Sequence, residues 1–362
     1  MTGGHVERFG RLRRELHEAR AEGRRRWGDA FADLGGSEPL TAWPSDAEAD
    51  RALAVAAHTR RYGPVEGRDD IRAAVAAHYG RALGIPLGPE HVLLSPGALA
   101  GITLAVLALC RPGEPVAVPL PHYHAYPGLI ELAGGRPVPV PVDGRLTIRP
   151  PGALLLANPV NPTGAVYGRR HLERILPGGP VVADEVYAEH VYDPRDFTSV
   201  ASMLPLDGSV AWLAVRSASK TLGRPGLRVG VVIGPAPLIA AVADRSAVLS
   251  GAANLPGQLA FAAGLPGAAA ADHMRPYRAR LHDTLALCEG LGLPVERPRG
   301  TYYLWVGPPA PATAAHAARL CRDAGVFVWP GEYFGSPSHA RVSLAVPRAT
   351  LAAGLRRLAG AR

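Results

Sequence analysis

Lysine is almost absent from this sequence. Lys220 is the one lysine among 362 residues, so 38 of the 39 lysine and arginine residues are arginine. Arginine stays protonated at essentially any pH and is a poor nucleophile, whereas a lysine amine can lose its proton when buried and can form Schiff bases. Surface charge, which arginine supplies elsewhere in the chain, is therefore excluded as the reason for Lys220. Two explanations remain: the position needs amine chemistry, or a lysine has been kept there by chance.

Cysteine and long apolar runs are also scarce. Cys110, Cys288 and Cys321 lie far apart without CxxC spacing, which excludes a disulfide framework and a cysteine-based zinc site. The longest apolar run, residues 98–110, is too short to cross a bilayer. The N-terminus lacks the apolar segment of a secretory signal. We therefore expect a globular protein of the reducing cytoplasm with no membrane partner.

Charged residues are few and unevenly distributed. They make up 19% of the chain, the net charge is +8, and arginines cluster in residues 8–27. Such a cluster is compatible with a nucleic-acid patch. However, Glu15, Glu18 and Glu22 alternate with these arginines, and no helix-turn-helix, RNP or zinc-finger pattern is present. We predict a solvated amphipathic helix and no nucleic-acid partner.

The order of apolar segments predicts an α/β fold. Short runs that are apolar on both faces alternate with helical segments ended by glycine or proline, which is typical of a parallel sheet covered by helices. The predicted strands are PVAVPL (115–120), ALLLAN (153–158), PVVADE (180–185), VAWLAVRS (210–217) and RVGVVIG (228–234). We predict a large domain with a mostly parallel central sheet over residues 46–260. Residues 261–362 read as a smaller α+β domain, with which residues 1–45 are expected to pack.

Polar segments occur where an open α/β sheet binds ligands, beyond the carboxyl ends of its strands. They are SPGALA (95–100), PHYHAY (121–126), NPVNPTG (158–164), ADEVY (183–187) and SASK (217–220). The first opens a predicted helix, and the others end or follow a predicted strand. We therefore expect five loops to converge on one crevice that contains Lys220.

These motifs resemble those of the class I and II aminotransferases, the fold-type I enzymes of pyridoxal 5′-phosphate (PLP). NPTG, DEVY and SxSK followed by GLRVG match that family in order and spacing, and the resemblance extends over residues 61–348. It implies a fold-type I transferase with a large cofactor-binding domain and a smaller α+β domain. It also implies a PLP-dependent homodimer that acts on an α-amino acid and a 2-oxo acid.

The resemblance assigns the reacting groups. Lys220 resembles the lysine that forms the Schiff base with the cofactor and moves the proton at the substrate Cα. Asp184 resembles the carboxylate that keeps the pyridine nitrogen protonated, with a helix cap as the alternative. Tyr187 and Asn161 resemble the groups that bond the cofactor phenol oxygen. Tyr123 resembles the aromatic residue that stacks on the ring.

The resemblance also implies a phosphate site built from backbone amides, hydroxyls and cations. Its members are Gly97, Ala98 and Leu99 at a helix start, Ser217 and Ser219, Arg228, and Tyr62 from the neighbouring subunit. Many relatives carry a hydroxyl where this chain has Ala98 and Leu99, so here only the backbone can bind.

The resemblance constrains the substrate site less. Arg341 resembles the arginine that binds the substrate α-carboxylate as a bidentate fork, with a surface arginine as the alternative. Asn161 is expected beside the substrate, and Gly36 lies where relatives bring N-terminal backbone over it. His122 and His124 form an H-x-H pair, but the sequence places no third ligand, so no metal site is predicted.

Three kinds of function follow from these observations. The first is transamination of an α-amino acid. The second is elimination, cyclisation, oxidation or decarboxylation of an amino acid in a natural-product pathway, as in the capreomycidine synthases, because the same motifs serve those reactions. The third is a binding or regulatory protein that keeps the fold. We expect an enzyme, because the lysine is intact and no winged-helix extension is present.

Overall fold

The computed structural model describes residues 4–41, 46–141, 152–176, 178–269 and 271–361. Its α-helices are α1 (His5–Trp27), α2 (Asp46–Ala57), α3 (Asp69–Leu83), α4 (Ala98–Leu109), α5 (Tyr126–Leu132), α6 (Arg169–Ile175), α7 (Ala218–Thr221), α8 (Ala236–Leu249), α9 (Leu255–Ala269), α10 (Arg275–Gly290), α11 (Ala314–Arg319) and α12 (Arg348–Gly360). Its strands are β1 (Ala32–Asp33), β2 (Val92–Ser95), β3 (Pro115–Leu120), β4 (Arg136–Pro141), β5 (Ala153–Ala157), β6 (Val181–Asp184), β7 (Trp212–Ser217), β8 (Gly230–Ile233), β9 (Tyr303–Val306), β10 (Val326–Phe327), β11 (Trp329–Pro330) and β12 (Ala340–Ser343).

Seven strands among the described residues form the central sheet, in the order β2-β8-β7-β6-β5-β3-β4. The pairs from β7 to β4 are parallel, while β8 runs antiparallel to both β7 and β2. Side chains of α3 and α9 pack on one face of the sheet, and those of α4, α5 and α8 pack on the other. The prediction of an α/β fold with a mostly parallel sheet is therefore confirmed.

The sequence does not predict two strands of this sheet, β2 and β4. β2 has only four residues and follows a short helical turn at Pro89–His91. β4 contains three alternating prolines, which cannot donate to a strand ladder. It nevertheless forms because it is an edge strand that pairs with β3 alone. The amide of Arg136 donates toward β3, at Glu114, so the alternating prolines place their missing N–H groups at the free edge.

The C-terminal part of the chain contains a second sheet. Its strands are antiparallel in the order β11-β12-β9, and α10 and α12 contribute to the core beside it. β1 pairs in parallel with β10, with Ala32 opposite Val326, which attaches the N-terminal segment to this part. The boundaries of the two predicted domains, 46–260 for the large one, stay a prediction.

The arginine-rich N-terminus forms α1, the predicted amphipathic helix. It buries Leu16 and Ala19, and Arg20 and Arg24 both contact the carboxylate of Asp33 at 2.7 Å and 2.5 Å. Part of its positive charge is therefore paired within the chain. None of the helices in the described ranges is both long and apolar enough to cross a membrane.

Candidate active site

A cavity of about 350 Å³ lies at the carboxyl ends of the central strands. Residues that follow β3, β5, β6 and β7 form one side, and residues of β9, β11 and β12 form the other. The structure brings most of the predicted site residues to this cavity: Ala98, Leu99, Tyr123, Asn161, Asp184, Tyr187, Ser217, Ser219, Lys220, Arg228 and Arg341.

Lys220 lies on α7, a single turn directly after β7. The turn begins at Ser217, whose hydroxyl accepts a hydrogen bond from the amide of Ser219 at 3.2 Å. The lysine amine donates to the backbone oxygen of Ser37 at 2.6 Å and to the hydroxyl of Tyr302 at 3.2 Å. Burial lowers the pKa of Lys220, because removal from water disfavours the charged form.

Asp184 ends β6 and is buried. Its carboxylate accepts hydrogen bonds from the hydroxyl of Tyr126 at 2.5 Å and from the amide of Val186 at 3.2 Å. Burial raises the pKa of Asp184 to about 6, although these two hydrogen bonds oppose the shift. Burial thus moves the titration of Asp184 toward neutral pH, while Tyr126 and Val186 donate specifically to its charged form.

The start of α4 and Arg228 together form an anion cradle. Gly97 is the N-cap of α4 at φ +89°, and no side chain caps this helix end, so its first amides are free to bind an anion. A Cβ at Gly97 would lie 2.5 Å from Nη2 of Arg228, so glycine is what lets the guanidinium approach the helix end. Arg228 itself has a left-handed backbone, with φ +52°, and the hydroxyls of Ser217 and Ser219 line the same cavity.

A second arginine occupies the opposite side of the cavity. Arg341 lies on β12 and is buried, with 5% of its surface exposed. Its Nη1 donates to the side-chain oxygen of Asn161 at 3.0 Å, and the guanidinium lies 4.1 Å from the ring centre of Tyr303 and 5.2 Å from that of Phe334. Because a guanidinium has five N–H donors in a planar fork, Arg341 can still bind a carboxylate in the cavity.

Residues 31–358 match the family described as aminotransferase class I and II. The chain belongs to this family. It is 32% identical over 339 residues to a bifunctional aspartate aminotransferase and glutamate/aspartate-prephenate aminotransferase of Petunia hybrida, covering 83% of this chain and 70% of the relative. It is 32% identical to an aspartate aminotransferase of Streptomyces avermitilis, covering 82% and 80%. An aspartate aminotransferase from Thermus thermophilus, solved with maleate, has a TM-score of 0.85 at 28% identity, covering all of this chain and 97% of that one.

The family membership confirms what the motifs NPTG, DEVY and SxSK indicate. The chain is an enzyme, an aminotransferase, and its fold is that of the fold-type I transferases. A purely regulatory protein on the same fold is therefore not the expected function.

Several residues of this aminotransferase site are not among the sequence predictions. The hydroxyl of Tyr187 lies 2.8 Å from that of Tyr303, and Tyr302 and Ser37 contact Lys220. Burial alone would raise the pKa of Tyr303, but the nearby cations of Arg341 and Lys220, together with hydrogen bonds from Tyr187 and Tyr302, lower that pKa. The segment TYYLWVG predicts a strand, and its two adjacent tyrosines are the signal that could have drawn attention to it.

Three predicted residues lie outside the cavity lining. Gly97 does not line the cavity but lies next to the Arg228 guanidinium, since a Cβ built on it would be 2.5 Å from Nη2. Gly36 packs near Val346 and Ser343, while its neighbour Ser37 lines the cavity. Tyr62 is fully exposed on this chain, so a role for it depends on a neighbouring subunit.

The two histidines of PHYHAY differ in their surroundings. His122 bonds the backbone oxygen of Tyr123 through Nδ1 at 3.0 Å. His124 lines the cavity and stacks on Phe9 of α1, with ring centres 4.9 Å apart. No group of three histidine, cysteine, aspartate or glutamate side chains within the described ranges is arranged to hold a metal ion.

The anion cradle can be tested by adding a side-chain carbon at Gly97. In Gly97→Ala the new Cβ would displace the Arg228 guanidinium, and a charge-assisted hydrogen bond is worth about 1.5–3 kcal/mol. We expect binding of inorganic phosphate to the cofactor-free protein to weaken about tenfold or more, measured by calorimetric titration. Gly113→Ala is the matched control, because Gly113 also has a left-handed φ of +77° but open space around it. Equal losses in both variants would contradict the cradle.

Proposed function

We propose that this aminotransferase is PLP-dependent and transfers the amino group of an α-amino acid to a 2-oxo acid, with Lys220 as the reacting amine. The observation that carries the proposal is the position of the only lysine in the sequence. It lies in one cavity with a buried carboxylate, an uncapped helix start beside Arg228, and a second arginine, Arg341.

The donor set of the cavity fits PLP. The first amides of α4, the Ser217 hydroxyl and Arg228 suit a phosphate dianion. Asp184 is a buried carboxyl partner for a pyridinium nitrogen, and the ring of Tyr123 is an aromatic wall for stacking. Tyr187 and Asn161 would hold the phenol oxygen. When bound, PLP supplies an electron sink for negative charge at the substrate Cα.

Lys220 and Arg341 act on the substrate in this proposal. Arg341 would bind the α-carboxylate through its free N–H groups and so orient the Cα–H bond, because Asn161 and Tyr303 hold the guanidinium in place. Lys220 would take the proton from Cα and later return it. Burial lowers the pKa of its amine, which increases the fraction of free base available as a general base near neutral pH.

The cavity wall supports an apolar or aromatic substrate side chain. Trp329, Tyr333 and Phe334 line the cavity beside Arg341. The cationic side chains that line it, within the described part of the chain, are Lys220 and the two arginines already assigned to phosphate and α-carboxylate. Aromatic walls favour burial of an apolar substrate side chain. They would leave the side-chain carboxylate of a dicarboxylic substrate without a charged partner. We therefore propose that the part of the site built by one chain favours such apolar or aromatic substrates over dicarboxylic amino acids, although the relatives above are named for aspartate; the donor panel below tests the assembled enzyme.

The reaction is tested with PLP-loaded protein and a panel of amino acids. Phenylalanine, tyrosine, leucine, aspartate and glutamate are each incubated with a 2-oxo acid acceptor, and both products are identified by mass spectrometry. We expect equimolar formation of a new 2-oxo acid and a new amino acid, highest for an aromatic or apolar donor, and none with Lys220→Ala. Release of CO2, ammonia or a cyclised product would instead support a lyase, cyclase, oxidase or decarboxylase.

The substrate carboxylate is tested by removing its proposed partner. Arg341→Ala leaves that carboxylate unpaired in a desolvated site, at a cost of about 2–5 kcal/mol. We expect kcat/KM for the preferred amino acid to fall by about two to three orders of magnitude, with PLP retention nearly unchanged. Arg228→Ala should do the reverse and lose PLP first, as followed by dialysis and absorbance. Wild-type kcat/KM in Arg341→Ala would mean that the substrate is anchored elsewhere.

We also propose that the enzyme is a homodimer with shared sites. Exposed apolar side chains occur on α2, at the start of α4 and at the end of α8, namely Leu53, Val55, Leu99, Val248 and Leu249. Tyr62 is exposed near the end of α2 and would reach the phosphate of the partner. Exposed apolar surface of this kind favours a protein partner.

Subunit mixing tests the shared site. Chains with Tyr62→Phe are exchanged with chains that carry Lys220→Ala, which assembles one site with both wild-type residues in each mixed dimer. We expect activity above that of the two separate variants, while mass spectrometry verifies the exchange. Activity that remains at the level of the separate variants after exchange would contradict a Tyr62 contribution from the partner.

A further inference from the structure

Tyr302 contacts the single lysine directly, although the proposed reaction described above does not use it. Its hydroxyl oxygen lies 3.2 Å from Nζ of Lys220 and 2.7 Å from the backbone oxygen of Ser37, and Nζ lies 2.6 Å from that same backbone oxygen. Tyr302 is fully buried. The three groups therefore form a closed triangle of hydrogen bonds, which we call the lysine triangle.

The donors and acceptors of the lysine triangle suit a protonated amine. Tyr302 donates its one hydroxyl hydrogen to Ser37, so its oxygen is left as an acceptor toward Lys220. The Ser37 carbonyl has two lone pairs and accepts from both partners. Either form of the amine can donate a hydrogen to each acceptor, but hydrogen bonds from an ammonium are charge-assisted and stronger, whereas the lone pair of a neutral amine finds no donor within the triangle.

The backbone ahead of β9 places two adjacent tyrosines at the site. Thr301 has a left-handed φ of +60°, which is rare for a β-branched residue. Successive strand residues ordinarily point to opposite faces, but here Tyr303 lines the cavity while Tyr302 reaches Lys220. The Tyr302 ring also stacks on Tyr277, with centres 5.1 Å apart and an interplanar angle of 16°. Packing thus fixes the position of the Tyr302 hydroxyl.

We propose that Tyr302 is a positioning residue that holds Lys220, protonated and not bonded to the cofactor, against the backbone oxygen of Ser37. This inference rests on the proposed function, in which the lysine is free while the amino acid reacts and carries the proton taken from Cα. The same contacts attach the backbone at Ser37 to the lysine. Tyr302 therefore connects the protonation of Lys220 to the N-terminal segment that lines the cavity.

Other groups also act on the Lys220 amine, and a test must leave them in place. Burial lowers its pKa, Tyr303 raises it, Arg341 lowers it, and Glu38 and Asp184 raise it. The Tyr187 ring, with its centre 5.4 Å from Nζ, and the buried imidazole of His190 also face the amine. Tyr302→Phe leaves Arg341, Glu38 and Asp184 in place. It also removes a hydrogen bond that lowers the pKa of Tyr187 and Tyr303, and the resulting rise in the pKa of Tyr303 acts on the amine in the same direction as loss of the acceptor.

The single lysine makes a direct titration possible. In this sequence an amine-selective acylating reagent reports on Lys220 and the N-terminal amine alone, so mass spectrometry of one peptide gives the reactivity of Lys220 as a function of pH. The experiment uses cofactor-free protein. Loss of the Tyr302 acceptor destabilises the ammonium form, so we expect Tyr302→Phe to shift the acylation profile to lower pH. On the rising part of the profile, Lys220 of Tyr302→Phe should be acylated about tenfold faster than Lys220 of the wild type. At high pH the two rates should reach a similar plateau.

Tyr277→Phe is the matched control. It removes the hydroxyl of the stacked neighbour, which accepts from the amide of Leu40, and we expect its profile to coincide with that of the wild type. Thermal melting checks that both variants are folded, and Tyr302→Leu serves if the phenylalanine variant is not. A Tyr302→Phe profile that matches the wild type, or an equal shift in Tyr277→Phe, would overturn the proposal. Failure of the wild type to transaminate would contradict the proposed function and leave this titration unaffected.

Discussion

Burial of the Lys220 amine is the constraint on which the rest of the site depends. An amine removed from water must be stabilised by specific partners when it is charged, and it must still be able to lose its proton. The structure meets both needs with neutral acceptors, the Ser37 carbonyl and the Tyr302 hydroxyl, and with charges farther away. The neutral acceptors stabilise the ammonium without fixing the proton on it as an adjacent carboxylate would.

The sheet topology determines which charges surround that amine. β6 and β7 are parallel neighbours, with Asp184 in register with Val215, so the ends that carry Asp184 and Lys220 emerge side by side. The antiparallel strand β8 returns from the loop after Lys220 and pairs with both β7 and β2. That return brings Arg228, just ahead of β8, to the start of α4, which follows β2. One strand reversal therefore places the phosphate-binding cation of the proposed site beside the helix amides.

Unusual backbone conformations concentrate around the cavity. The two non-glycine residues with left-handed φ among the described residues are Arg228 and Thr301, and Gly97 has φ +89°. All three residues help to place side chains of the site. Arg228 reaches the start of α4, and Gly97 leaves room for its guanidinium. Thr301 precedes the two adjacent tyrosines, of which Tyr302 contacts Lys220. For the two non-glycine residues such conformations cost free energy, so their occurrence here fits a site in which side-chain position matters more than local stability.

The sequence by itself determined the α/β class and the five core strands, and it singled out Lys220 as the amine of the proposed reaction. These follow from local patterns: apolar runs predict buried parallel strands, and short motifs at strand ends carry Lys220, Asp184 and Asn161. The sequence did not predict β4, because its prolines disfavour a strand everywhere except at a sheet edge. Only the tertiary structure brought Tyr302, 82 residues away, and Ser37, 183 residues away, to the lysine. Contacts between such distant segments depend on how whole elements pack, and no local pattern in the sequence specifies that packing.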